Sequence, residues 1–70
     1  MIPLVLANTG EETIVRRIGG SPEMRRHLAD LGFNVGTGVT VVSTMGGNVI
    51  VKVKEARVAI SREMAQKIMV

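Results

Sequence analysis

The 70-residue chain has no cysteine, no tryptophan and no tyrosine, and only one phenylalanine, one histidine and two prolines. Without cysteine there is no disulfide framework and no thiolate metal site. A single aromatic ring supplies no stacking platform for single-stranded nucleic acid. No apolar run approaches the ~18–20 residues needed to span a bilayer. The opening stretch Ile2–Ala7 is too short for a signal sequence and has no basic residue ahead of it. Charge of neither sign dominates: nine Lys and Arg face six Asp and Glu, a net charge of +3. That balance does not demand an extended polyanionic partner. Catalytic sets are missing too. No Ser-His-Asp arrangement, activated cysteine or cleft-borne carboxylate pair can be assembled, and Gly36-Thr37-Gly38 lacks both the third glycine and the Gly-Lys-Ser/Thr of phosphate-binding loops. The chain does not read as an enzyme.

What is present centres on Ser21–Val42. Ser21 is suited to cap a helix whose first turn holds Pro22 and Glu23. Met24, Leu28 and Leu31 recur at helical spacing on one face. Gly32 follows directly, where a left-handed residue ends a helix and only glycine is free of strain, and Phe33 is placed to fold back on the helix end. Gly36 and Gly38 are expected to bend the chain into a strand over Val39–Met45. Gly46-Gly47-Asn48 signals a hairpin. Asn48–Lys54 then alternates with Val49, Val51 and Val53 on one side and Ile50, Lys52 and Lys54 on the other.

The flanks complete the pattern. Met1–Asn8, with Pro3 inside it, reads as an edge strand or an irregular turn. Thr13–Ile18 reads as a strand of imperfect alternation: Ile14, Arg16 and Ile18 share one side, Thr13, Val15 and Arg17 the other. A strong twist, a bulge or a two-sided position would each account for it. Lys54-Glu55-Ala56 reverses the chain into a strand over Arg57–Ser61. Ser61 caps a second short helix with Glu63 in its first turn and Met64, Ala65 and Ile68 on its apolar face. Met69-Val70 is free to rejoin the sheet. Five short strands and two small helices predict one domain over 1–70, mainly β, its bent antiparallel sheet closed into a small barrel.

The order of these signals, LADLGFNVGTGVTVV, a glycine hairpin, NVIVKVKEARVAIS and a closing helix REMAQKIMV, resembles the ferrous-iron transport A (FeoA) family over nearly the whole chain. The most specific part is Leu28–Val42. Glu55 stands where many relatives have glycine. The resemblance implies an SH3-like barrel acting as a cytosolic accessory protein of bacterial ferrous-iron uptake, with the iron permease and its GTP-binding domain as partner. It would reach the membrane only through that partner. The motif is a folding motif and carries no catalytic residue.

Candidate site residues follow from residue types. Glu23 and His27 lie four apart on one helix face and could share a divalent cation such as iron, but two ligands do not make a site. The pairs Arg16-Arg17 and Arg25-Arg26 read as solvated faces or as a basic ridge, whose planar guanidinium forks suit carboxylates. Met45, at a hairpin tip, suits an adaptable contact. The contact surface expected is therefore Arg25, Arg26, Phe33 and Met45. The alternative reading is a metal-responsive regulatory or nucleic-acid-binding SH3-like domain, with nucleic acid disfavoured by the lack of aromatics. The edge at Met1–Leu6 and the outward Ile50 leave room for weak self-association.

Overall fold

In the computed structural model, which describes residues 1–70, the elements in chain order are a single 3-10 turn at Leu4–Leu6, then β1 (Glu12–Ile14), β2 (Arg17–Ile18), α1 (Pro22–Asp30), β3 (Gly38–Met45), β4 (Asn48–Val53), β5 (Ala56–Ser61), α2 (Arg62–Lys67) and β6 (Ile68–Met69). Four strands form an antiparallel sheet in the order β1-β3-β4-β5, and β2 pairs with β6 in a second, smaller sheet. Both readings of the first residues meet here. Ile2 and Val70 exchange two backbone hydrogen bonds of 2.9 and 2.8 Å, and Pro3 bridges Met69, before the chain winds into the 3-10 turn.

The uneven alternation of Thr13–Ile18 has a definite cause. The chain changes sheets at Val15–Arg16. Val15 donates to the Thr37 carbonyl and accepts from the Gly36 N–H, at 2.9 and 2.7 Å, on the β3 side, whereas Arg16 donates to the Met69 carbonyl at 2.8 Å on the β6 side. The bend resets the side-chain phase. Val15 is fully buried and Ile18 half-buried, while Ile14 is 41% exposed and does not share Ile18's side. The SH3-like barrel thus consists of two sheets sharing one bent strand, with α2 filling the gap between β5 and β6 in place of a continuous ladder.

Helix α1 follows its sequence signals closely. The Ser21 Oγ accepts from the Met24 N–H at 3.1 Å, satisfying one of the free donors at the helix start. At the other end Gly32 has φ +107°, the Phe33 N–H donates to the Leu28 carbonyl at 2.9 Å and the Gly32 N–H to the Ala29 carbonyl at 3.0 Å. This is the Schellman pattern, with its hydrophobic contact supplied by buried Phe33 and Leu28. Of the two glycines expected to bend the chain afterwards, Gly36 has positive φ (+93°) and Gly38 does not. Gly38 opens β3, and a Cβ there would lie 3.0 Å from the Glu12 carboxylate, so close approach, not backbone conformation, is what a side chain at this position would disturb.

Both hairpin turns have two residues, Gly46–Gly47 and Lys54–Glu55. In each the first turn residue alone has positive φ, +57° at both Gly46 and Lys54, the pattern of a II′ turn. Glu55 therefore needs no left-handed backbone, and the strain of this turn sits on Lys54. Between Val41 and Ser43 the β3–β4 register slips by one residue, leaving Val42 as a bulge.

The core is one cluster of thirteen buried residues, all hydrophobic, with no buried polar side chain. Val39, Val41, Val49, Val51, Val53 and Ile60 come from the large sheet, Leu4 from the 3-10 turn, Leu28 and Phe33 from α1 and its cap, and Ala65 and Ile68 from the C-terminal segment.

Candidate functional site

The residues singled out from sequence do not gather on one surface. Glu23, Arg25, Arg26 and His27 are all exposed on α1. No cluster of three or more His, Cys, Asp or Glu side chains occurs anywhere in the chain, so Glu23 and His27 have no third protein ligand to complete a tetrahedral or octahedral cation site. Met45 is 69% exposed at the β3–β4 hairpin tip, as a contact residue requires. Phe33 is 0% exposed. Its ring is the plug beneath the end of α1, and it is withdrawn from the contact surface: the cap that places it also buries it.

The end of α1 and the hairpin tip are apart. The end of α1 lies over the Val53 end of β4, where a Cβ on Gly32 would be 3.5 Å from Val53. The hairpin tip is at the Asn48 end of the same strand, about 17 Å away at the usual rise per residue. That tip is held instead by α2, whose Arg62 N–H donates to the Gly47 carbonyl at 3.1 Å. The Gly32 end of α1 and the hairpin tip thus lie at opposite ends of β4.

A third surface, which the sequence reading did not single out, lies on the outer face of the large sheet. Strand register sets Glu12, Thr40, Lys52 and Arg57 side by side across β1, β3, β4 and β5. Lys54, the first residue of the turn after β4, lines the same depression as Lys52. Glu12, Thr37, Gly38, Thr40, Lys52 and Lys54 line an open depression of about 320 Å³ with no apolar side chain in its wall. The alternation of β4 did send Lys52 and Lys54 outward. What brings Arg57 alongside them is the two-residue turn at Lys54–Glu55, and a charge-by-strand count on that hairpin would have found the cluster.

No helix is long and apolar enough to cross a membrane. A family model described as "FeoA domain" matches residues 2–70. The "Putative Fe(2+) transport protein A" of Methanocaldococcus jannaschii is 39% identical over 70 residues, covering 100% of this chain and 85% of its own length. Among solved structures, the crystal structure of an iron uptake regulatory protein (FeoA) superposes with a TM-score of 0.86 at 30% identity, covering 96% of this chain and 89% of that one. Stenotrophomonas maltophilia FeoA, a prokaryotic SH3 domain protein solved with zinc, gives a TM-score of 0.84 at 21% identity, covering 99% and 88%; at that identity the likeness is one of fold. Architecture and surface define a small SH3-like β-protein with an all-apolar core and no group of three or more His, Cys, Asp or Glu. The chain belongs to the FeoA family, whose members are accessory transport proteins and not enzymes.

Proposed function

We propose that the chain is an accessory protein of ferrous-iron uptake that works in the cytosol as a protein-interaction module, docking on the GTP-binding part of the iron permease. The observation that carries this reading is the full-length family match joined to a molecule with no enclosed polar pocket: the interior is entirely apolar and the polar depression is open to solvent. Such a molecule has contact surfaces to offer and nothing with which to do bond chemistry. Arg25 and Arg26, exposed on α1, form one candidate contact and Met45, exposed at the hairpin tip, another. Arginine side chains can engage carboxylates with two parallel hydrogen bonds, and an exposed methionine adapts to an apolar recess.

The test is retention of the permease's isolated GTP-binding domain by the immobilised chain, in apo, GDP-bound and GTP-analogue states. Retention in at least one state, reduced by about tenfold in the Arg25→Glu, Arg26→Glu double variant, is expected from the loss of charge-assisted contacts. No retention in any state by the unaltered protein overturns the reading.

A further inference from the structure

The large sheet ends in an unpaired edge. β5 pairs with β4 through all six of its residues, and none of the backbone hydrogen bonds made outside helices and strands involves Ala56–Ile60. Parity fixes which groups are free. In a two-residue turn the Val53 carbonyl accepts from the Ala56 N–H, and bonded pairs alternate along an antiparallel ladder. Ala56, Val58 and Ile60 therefore face β4. Arg57 and Ala59 direct their N–H and C=O groups outward, and both residues are exposed. Exposed edges of this length are normally shielded by proline, a bulge, a charged side chain or a covering segment. The outer edge of the small sheet carries such a guard in Pro3, which bridges Met69. β5 contains no proline and pairs without a bulge, and Arg57 is its one charge.

The flanking charge says what this edge will accept. Arg57 lies directly opposite Lys52, with Lys54 lining the same depression as Lys52. Like charges facing each other across a ladder are destabilising. An added strand would bring its own alternate side chains about 5 Å from Arg57 and roughly 10 Å from Lys52, near or within the screening length at physiological salt. A second copy of this chain pairing β5 to β5 would double that positive charge. An acidic strand would neutralise it.

We propose that the outer edge of β5 accepts an extended, acidic segment of a partner protein as an additional strand, its backbone bonded to Arg57 and Ala59 and its carboxylates facing Arg57, Lys52 and Lys54. The main chain supplies affinity in this mode and the alternate side chains supply selectivity. The proposal rests on the reading of the chain as an interaction module but not on the identity of its partner, and it uses a surface apart from Arg25, Arg26 and Met45.

The test titrates the full ¹⁵N-labelled chain with a capped six-residue peptide alternating glutamate and valine, and with its lysine–valine counterpart. Expected are saturable amide shifts confined to Lys52–Ser61, slowing of hydrogen exchange at the Arg57 and Ala59 amides by about tenfold or more, and no binding of the lysine peptide. Affinity should fall about tenfold between low salt and ~0.3 M salt. Ala59→Pro should abolish binding while leaving the β4 ladder intact, because the N–H it removes points outward. Lys52→Glu with Arg57→Glu, which leaves the backbone unchanged, should abolish binding whether or not the proline variant folds. Absence of saturable shifts, shifts centred on α1 or Met45, or equal binding of the lysine peptide overturns the proposal. So does a concentration-dependent shift of β5 without peptide, which would assign the edge to a second copy. Permease retention without any peptide binding would remove the strand proposal and leave the docking reading standing; peptide binding without permease retention would do the reverse.

Discussion

On the inner face of β3 and β4, Val39, Val41, Val51 and Val53 are almost completely buried within the one apolar core cluster. On the outer face of the same strands, one residue away in each case, stand Thr40 and Lys52, with Glu12, Arg57 and the turn residue Lys54 beside them. The inner face is organised for stability. Each side chain gains by leaving water, roughly 1.5–3 kcal/mol for a fully buried residue of this kind. The outer face is not. It sets Lys52 against Arg57, leaves an edge open and adjoins a non-glycine residue, Lys54, at φ +57°. A left-handed residue of this type costs about 1–3 kcal/mol. In a chain this short, whose net stability is on the order of 3–5 kcal/mol, features that oppose folding on one face and not the other are a sizeable share of the total.

Three measurements would break or sharpen the contrast. The largest effect belongs to the core. Phe33→Ala removes the one aromatic ring from a fully buried position and should cost about 3–5 kcal/mol, leaving no cooperative thermal transition at all. A variant that melts normally would mean the end of α1 is not the plug described here. Next comes Gly32→Ala. The added methyl meets Val53 only at ordinary contact distance, so the loss, about 1–3 kcal/mol, would come from the φ of +107° alone. In a domain of this size each kcal/mol lowers Tm by about 4–8 °C. The smallest effect belongs to the outer face and has the opposite sign. Arg57→Thr should raise stability by about 0.2–1 kcal/mol by relieving the charge opposite Lys52, measured as an increase in the urea midpoint. The gain should shrink as salt screens the pair. A salt-independent loss instead would show that the arginine packs for stability and that the two faces are not opposed.

The sequence was legible wherever a signal is local. Both serine caps, the glycine stop at residue 32, the two-residue glycine hairpin and the valine alternation of β4 each depend on residues within about one turn or one strand of each other. The surface was legible only in part. Met45 was placed at an exposed tip from its turn alone. Phe33 was misplaced on the contact surface because its neighbours in sequence do not reveal that Leu28 and the sheet close over it. Where the end of α1 sits was not legible for a related reason: Gly32 meets the Val53 end of β4 and the hairpin tip is the other. No short-range pattern encodes which end of a strand a helix covers.

By itself, then, the order of residues determined the elements, their caps and turns, the identity of most inward valines and the family. These are properties of backbone preference and of side-chain period, which act over a few residues. Only the tertiary structure decided that the Thr13–Ile18 strand breaks at Val15 to serve two sheets, that α2 substitutes for a ladder between β5 and β6, and that Arg57 joins Lys52 and Lys54 beside an open edge. Those outcomes depend on hydrogen bonds and burial between segments that are distant along the chain, such as Arg16 with Met69 and Val15 with Thr37.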